Sequence, residues 1–217
     1  MKKDLHFDFD RLERIGLPEA VLCQGKSVQQ LENILAELLE NETVALLTRL
    51  DESSHASISR KFDLDYDPVS RTAFLGKPLS ASSKSDVAVV AAGTSDLPVA
   101  AEAMRTLEFH GQQPRLICDI GVAGLWRLNK YLDTLKGCDA LIVVAGMDGA
   151  LPSVVGGLVG SLVIAVPSST GYGVANKGQT ALNAALSSCA PGVVVVNIDN
   201  GYGAAIACLR ACRSNGS

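Results

Sequence analysis

The second part of the chain repeats one pattern five times: a short apolar run, a polar loop, and a stretch with helical periodicity. The apolar runs are rich in β-branched residues and cover residues 87–91, 115–118, 140–144, 162–166 and 193–198. Near-continuous apolar strands of this length are typical of parallel sheets that helices cover on both faces. A β–α series of five strands therefore predicts a doubly wound α/β domain.

The segments between these runs carry helix signals. Residues 96–110 have apolar side chains at helical spacing, with Pro98 in the first turn and Gly111 directly after the segment. A proline near the start and a glycine past the end are the ordinary boundaries of a helix. Residues 125–135 and 178–188 show the same periodicity, so we predict a helix in each of the three segments.

A linker separates this domain from a smaller region upstream. Residues 76–86 are rich in Ser, Lys and Gly and lack apolar periodicity, which is typical of linkers. We therefore predict two parts, residues 1–80 and residues 81–217.

The first part has the signals of a small mixed α/β region. Ser27 and Gln30 form a capping box ahead of a helical apolar pattern. Residues 43–48 predict a strand, and residues 57–75 predict one or two more. We expect this region to support the second part or to close over it.

Bulk composition argues against several classes of protein. The net charge of -4, with Lys and Arg scattered along the chain, offers no electrostatic footprint for nucleic acid. The uncharged stretch 149–176 is interrupted by Pro152 and Pro167, so it predicts a buried helix followed by a buried strand and no membrane span. The six cysteines form neither a CxxC pair nor a cluster with His, so no zinc site is predicted. The charged N-terminus lacks the apolar core of an export signal, so we expect a cytoplasmic protein.

Every predicted strand ends in a glycine-rich polar loop, at the edge of the sheet where open α/β proteins bind ligands. A single loop of this kind most often serves turn geometry and helix capping, but enrichment in all five favours a binding edge. No loop has the GxGxxG or P-loop pattern. The candidate ligand contacts in these loops are Gly93, Thr94, Ser95, Asp96, Asp119, Gly121, Gly146, Met147, Gly149, Ala150, Thr170, Gly171 and Tyr172.

Three further residues have a functional and a structural interpretation. Asp148 lies between two glycines after a buried strand; a lone loop Asp is usually a cap, but phosphate-bound Mg²⁺ needs only one or two carboxylates. Cys189 has the position of a buried structural cysteine. Arg127 is either a partner for a carboxylate or phosphate or a surface charge.

Long motifs along nearly the whole chain resemble those of the LarB family. They are AGTSDLP (92–98), DIGVAGLWRL (119–128), AGMDGALPSVV (145–155), VIAVPSSTGYG (163–173) and CAPGVVVVNIDNGYGAA (189–205), with RIGLPE (14–19), GKSVQQ (25–30) and DYDPVSR (65–71) upstream. The family is related to the aminoimidazole ribonucleotide carboxylases and mutases of purine synthesis. The resemblance implies a flavodoxin-like sheet in a catalytic domain of residues 81–217.

The resemblance also implies an activity, that of pyridinium-3,5-biscarboxylic acid mononucleotide synthase, the first step toward the nickel-pincer nucleotide cofactor of lactate racemase. Such an enzyme carboxylates the ring of nicotinic acid adenine dinucleotide with CO₂ or bicarbonate and hydrolyses the phosphoanhydride to release AMP. It implies that Cys189, expected at the ligand edge, adds to the ring, and that Asp148 works with Mg²⁺ on the pyrophosphate. The loop amides of residues 93–96 and of Gly149 to Leu151 would hold phosphate and ribose. The relatives imply a symmetric homo-oligomer, an octamer.

The sequence departs from the family pattern at two positions. Asp148 stands where we expect Glu in many relatives, and Trp126 stands where the S-A-H-R segment of the purine enzymes has His. Two alternatives therefore stay open. One is a purine-type carboxylase or mutase acting on an aminoimidazole ribonucleotide, and the other is a non-catalytic nucleotide-binding paralogue.

Overall fold

The computed structural model describes residues 7–80 and 85–213. The chain divides into two compact units, Met1–Leu79 and Ser80–Ser217. Within the described residues, no helix has the length and apolar character needed to cross a membrane.

The first unit is a four-stranded sheet covered by helices. Its elements are α1 (Arg11–Ile15), β1 (Val21–Leu22), α2 (Val28–Glu40), β2 (Ala45–Thr48), α3 (Glu52–Ile58), β3 (Leu64–Asp67) and β4 (Thr72–Leu75), with strand order β1-β2-β4-β3. The predicted capping box starts α2, since the Gln30 amide donates to Ser27 Oγ (3.3 Å) and the Ser27 amide donates to Gln30 Oε1 (2.8 Å). Leu31, Leu35 and Leu38 of this helix are buried in the core of the unit.

The second unit is the predicted α/β domain. Its elements are β5 (Val87–Ala91), α4 (Leu97–Phe109), β6 (Arg115–Ile117), α5 (Leu125–Lys136), β7 (Ala140–Ala145), α6 (Ala150–Gly156), β8 (Leu162–Pro167), α7 (Gln179–Leu186), β9 (Val193–Val195) and α8 (Gly201–Arg213). The five strands are parallel in the order β6-β5-β7-β8-β9. The predicted flavodoxin-like sheet is confirmed, although β9 is three residues long where the sequence predicts six.

The central strands explain why the pattern is so apolar. Every residue of β5 and of β7 is buried, because α4 and α8 pack on one face of the sheet and α5 and α6 pack on the other. The edge strands are less buried: β6 has two exposed residues and one buried residue, and β9 has no fully buried residue. Burial on both faces is what a continuous apolar run requires.

Strand order also fixes where a ligand can enter. The chain moves from β5 outward to β6 and then returns to β7 on the other side of β5. The helices that follow β5 and β7 therefore leave toward different neighbours, and a crevice opens at the carboxyl ends of these two strands. The loops that follow β5 and β7 form the walls of this crevice.

Candidate functional site

The loop after β5 is held from within by a carboxylate. Thr94–Asp96 forms a single 3₁₀ turn after Gly93. Asp96 Oδ2 accepts a hydrogen bond from the Gly93 amide (2.9 Å), and Oδ1 accepts one from the Ser168 hydroxyl (2.5 Å). Asp96 is only 4% exposed, so its side chain shapes the loop and is not the ligand contact that the sequence suggested. Thr94 and Ser95 are exposed.

The loop after β8 is joined to two other loops. The Thr170 hydroxyl donates to the Ser95 carbonyl (3.2 Å), and the Met147 amide donates to the Thr170 carbonyl (2.9 Å). Ser168 is anchored in turn, because its amide donates to the Ala145 carbonyl at the end of β7 (2.9 Å). The structure thus brings the predicted loops after β5, β7 and β8 into one hydrogen-bonded network, which we call the three-loop network.

Two glycines of the loop after β7 are required by close contacts. A Cβ atom at Gly146 would lie 2.4 Å from the Thr170 carbonyl oxygen and 2.7 Å from Ser168 Oγ. Gly149 has a φ of +63°, and a Cβ atom there would lie 2.7 Å from the Cα of Ala181. The three-loop network therefore leaves no room for a side chain at Gly146, and α7 leaves none at Gly149.

Left-handed backbone at non-glycine residues marks the same edge of the sheet. Asp119, Met147 and Asp199 have φ values of 61°, 54° and 54° and follow β6, β7 and β9. Such conformations are uncommon for residues with a Cβ and concentrate at functional sites. Asp199 Oδ1 accepts from the Ser169 amide (2.7 Å), so this residue also fixes the loop after β8.

Arg127 pairs with a carboxylate of the same edge. Its Nη1 lies 2.7 Å from Asp119 Oδ1, and both side chains keep contact with solvent, with exposures of 28% and 54%. The loop that carries Asp119 is tied to the end of β5, because the Gly121 amide donates to the Ala92 carbonyl (2.8 Å). Of the two interpretations of Arg127, the structure agrees with a partner for a carboxylate, and a role in ligand binding stays a prediction.

Asp148 is an exposed carboxylate at the start of α6. Its Oδ1 accepts a hydrogen bond from the amide of Ala150, the first residue of α6 (3.3 Å). Among the described residues, no three His, Cys, Asp or Glu side chains form a group that could hold a metal ion. Because Mg²⁺ commonly takes one or two carboxylates together with substrate phosphates, one exposed carboxylate at this edge of the sheet fits that mode of binding.

The remaining predicted contacts divide by exposure. Leu151 is buried under the start of α6, whereas Tyr172 is 81% exposed. Gly171 has a φ of +139°, and a Cβ there would meet the Cβ of Ala175 at 2.7 Å. Leu151 thus supports the loop through its side chain, and Tyr172 is the exposed aromatic residue of the loop after β8.

Cys189 does not lie at the carboxyl edge, which corrects our expectation from the sequence. It is exposed and lies between α7 and β9, before the strand begins. The Ser153 hydroxyl of α6 donates to the Ser188 hydroxyl (2.8 Å), and a Cβ atom at Gly156 would lie 3.1 Å from the Cβ of Ala190. Cys189 therefore lies near the far end of α6 from Asp148, and its exposure also contradicts the structural-cysteine interpretation.

A different cysteine follows a strand of this sheet. Cys118 comes directly after β6, and its Sγ lies 3.8 Å from the Gly93 carbonyl oxygen. Burial raises the pKa of the Cys118 thiol, and the Asp119 and Asp96 carboxylates act in the same direction. Since the thiolate is the nucleophilic form, this environment disfavours nucleophilic chemistry at Cys118.

From the sequence, Ser168 and Asp199 lie in loops of this edge, but neither they nor Cys118 were predicted as site residues. Each lies within or next to a motif that drew attention, and Ser168 directly follows the last residue of β8. The sequence shows only that these residues follow a strand. Their role depends on which loops contact each other, and the alternation of strands and helices does not specify those contacts.

Comparisons with known proteins cover both units. Residues 3–77 match the family described as the LarB/PurE-like N-terminal domain, and residues 86–216 match AIR carboxylase. The chain is 37% identical over 215 residues to an uncharacterized protein of Methanocaldococcus jannaschii, an alignment that covers 95% of this chain and 83% of the relative. A crystal structure of a Treponema denticola PurE2 variant superposes with a TM-score of 0.50 at 20% identity, over 64% of this chain and 82% of the other. At that identity the structural likeness supports the fold alone.

Proposed function

This chain belongs to the LarB family, which is related to the AIR carboxylases and mutases, and on that premise we propose that it carboxylates the pyridinium ring of nicotinic acid adenine dinucleotide. The family places it among enzymes of the carboxylase type. The observation that carries the finer proposal is the match of residues 3–77 to the LarB-type N-terminal domain, combined with a Cys189 that is exposed. The purine-type alternative needs neither feature, and it expects His where Trp126 stands.

The crevice at the ends of β5 and β7 is the proposed binding site for the dinucleotide. Its walls are the loops of the three-loop network, which hydrogen bonds within and between the loops hold in place. Fixed loop amides suit phosphate oxygens, because they need no reorganisation when the ligand arrives. We propose that Thr94, Ser95 and residues 149–151 contact phosphate and ribose.

Asp148 is the proposed metal-holding residue. With Mg²⁺ bound there, the ion would orient the pyrophosphate and offset charge on the departing AMP. The chain's own contribution is an exposed carboxylate held at the start of α6 by the Ala150 amide. Water then cleaves the phosphoanhydride, so that one phosphate stays on the mononucleotide product and the other leaves as AMP.

Cys189 is the proposed nucleophile toward the ring. A pyridinium carbon is electrophilic, whereas attack on CO₂ requires a nucleophilic carbon. The Cys189 thiolate forms a C–S bond at the carbon para to the nitrogen, and the displaced electron pair neutralises the nitrogen. The resulting enamine attacks CO₂ through its meta carbon. Loss of the proton from that carbon and expulsion of the thiolate restore the aromatic ring, so that a carboxylate replaces one ring proton.

The position of Cys189 bears on how the site is assembled. Asp148 and Cys189 lie at opposite ends of α6, whereas the pyrophosphate and the ring on which they would act belong to one dinucleotide. We therefore propose that the active enzyme is a homo-oligomer in which a second copy supplies the thiol. Exposed apolar side chains near the β9 edge, Leu186 and Val194, support such an interface, because large exposed apolar residues are often covered by partners.

The test is incubation of the protein with nicotinic acid adenine dinucleotide, Mg²⁺ and ¹⁴C-bicarbonate. The proposal predicts label in a mononucleotide and release of AMP in equal amounts. A parallel reaction with aminoimidazole ribonucleotide addresses the purine-type alternative. Label in the imidazole product and none in the pyridinium product would overturn the proposal.

A further inference from the structure

The side chains of Asp96 and Ser168 connect two loops that do not follow neighbouring strands. Asp96 follows β5 and Ser168 follows β8, and β7 lies between these strands in the sheet. Their 2.5 Å hydrogen bond therefore passes over the end of β7. Gly146 lies directly beneath it, since a Cβ atom there would lie 2.7 Å from Ser168 Oγ.

Neither side chain is accessible to a ligand. Ser168 is fully buried and Asp96 is 4% exposed. The Ser168 hydroxyl donates to Asp96 Oδ1 and accepts from the Thr170 amide (3.3 Å), while Asp96 Oδ2 accepts from the Gly93 amide. One buried pair of side chains thus sets the position of a backbone amide in each of two loops.

We infer that Ser168 is a positioning residue, which holds the Gly93–Asp96 and Ser168–Thr170 loops in the geometry that binds ligand. Burying a hydroxyl and a carboxyl group is costly unless they are hydrogen-bonded. An apolar pair would fill the same space without that cost, but it would not orient the Gly93 and Thr170 amides. The inference rests on the proposed function only in taking this crevice as the dinucleotide site.

The chain offers a matched control on the same strand. Ser161 directly precedes β8, and its hydroxyl donates to the Cys138 carbonyl (2.6 Å). Ser161→Ala removes a short hydrogen bond at the opposite end of the strand from the crevice. Ser168→Cys is the second test variant, because it keeps the side-chain shape and supplies only a weak donor.

Two measurements test the inference, and the first needs no ligand. Amide hydrogen exchange of the free protein should show faster exchange in residues 93–96 and 168–170 of Ser168→Ala, with wild-type exchange in the strands. Titration calorimetry with nicotinic acid adenine dinucleotide should show binding weakened at least about tenfold, with Ser168→Cys between Ser168→Ala and wild type. KM should rise by more than kcat falls, and Asp96→Asn in the Ser168→Ala background should add little further loss.

Wild-type exchange in these loops of Ser168→Ala would overturn the inference. An equal loss of affinity in Ser161→Ala would do so as well, because it would point to general destabilisation. If the wild-type protein binds no dinucleotide, the proposed function fails, and the exchange measurement still decides the role of Ser168.

Discussion

Asp148 precedes the first turn of α6, and Cys189 lies beside the last turn of the same helix. The neighbours of Cys189 in the chain show this, because Ser188 contacts Ser153 of α6 and Ala190 contacts Gly156. A helix of seven residues spans about 10 Å. In the proposed reaction the Asp148 carboxylate acts on the pyrophosphate and the Cys189 thiol acts on the ring. Either the substrate spans the distance between the two side chains, or a second chain supplies one of them. The proposed function adopts the second chain.

Complementation between two variants, each impaired when it is alone, tests this arrangement. If each site combines Asp148 of one copy with Cys189 of another, a mixture of Asp148→Asn and Cys189→Ala chains regains activity. Random mixing in a symmetric oligomer gives about a quarter of the sites both native residues. The measurement is the turnover of a mixture refolded together, with each variant refolded alone as the control. A mixture without activity, in oligomers shown by mass spectrometry to contain both chains, contradicts the shared site.

Asp148→Asn should weaken the dependence of catalysis on Mg²⁺ without unfolding the chain. The side chain is exposed and keeps an oxygen that can accept from the Ala150 amide, so the melting temperature should change little. Asp133→Asn, an exposed carboxylate on α5, is the matched control. A Mg²⁺ titration in which Asp148→Asn follows the wild-type curve rules out the metal role.

Gly146→Ala should damage both stability and binding. The new methyl group meets the Thr170 carbonyl oxygen at 2.4 Å, and relief of such overpacking typically costs about 1–3 kcal/mol. Gly160→Ala is the control, since a Cβ atom at Gly160 meets nothing within 4 Å. Chemical denaturation should give a lower free energy of unfolding for Gly146→Ala than for Gly160→Ala. Calorimetric titration should give a weaker dinucleotide affinity for Gly146→Ala. Equal unfolding free energies for both would show that the close contact is easily relieved.

Arg127→Gln should affect ligand binding more than folding. The ion pair with Asp119 is partly exposed on both sides, and such pairs contribute at most about 1 kcal/mol to stability. Arg115, which pairs with Asp86 before β5, gives a matched variant, Arg115→Gln, at the opposite end of the sheet. We expect dinucleotide affinity to fall about tenfold in Arg127→Gln and to stay unchanged in Arg115→Gln. Equal dinucleotide affinities of the two variants would show that Arg127 is a surface charge without a role in binding.

The sequence predicts the strands of the α/β domain well because their burial is a local property. The bounds of β5 agree with the prediction to the residue, and β7 and β8 each extend one residue further. β9 is shorter than predicted because it is an edge strand, and its apolar residues continue past the last ladder hydrogen bonds. A run of valines does not specify where pairing stops.

The site is less predictable because it depends on contacts between loops. The Asp96–Ser168 hydrogen bond joins residues 72 positions apart and exists only because β8 lies one strand beyond β7. The position of Cys189, by contrast, could be inferred from the sequence. It comes before the last predicted strand, and that order alone places it at the amino end of that strand. The family motif led us to expect it at the ligand edge, because the motif indicates chemistry and carries no information about position in the fold.

In the proposed mechanism, the Cys189 thiol activates the pyridinium ring for carboxylation. Cys118 provides the matched control, because it is the cysteine whose Sγ lies beside the loop after β5, while burial raises the pKa of its thiol. Cys189→Ala removes an exposed side chain, so we expect it to fold, assemble and bind dinucleotide normally. Cys189→Ser should fail nearly as badly in catalysis, since a hydroxyl is a far weaker nucleophile at neutral pH.

The most direct measurement is the incorporation of ¹⁴C-bicarbonate into mononucleotide by Cys189→Ala, Cys118→Ala and the wild type under identical conditions. We expect incorporation at least about a thousandfold lower in Cys189→Ala and within a few-fold of wild type in Cys118→Ala. Incorporation by Cys189→Ala within a few-fold of wild type would contradict the proposed mechanism, most clearly if Cys118→Ala were the variant that lost it.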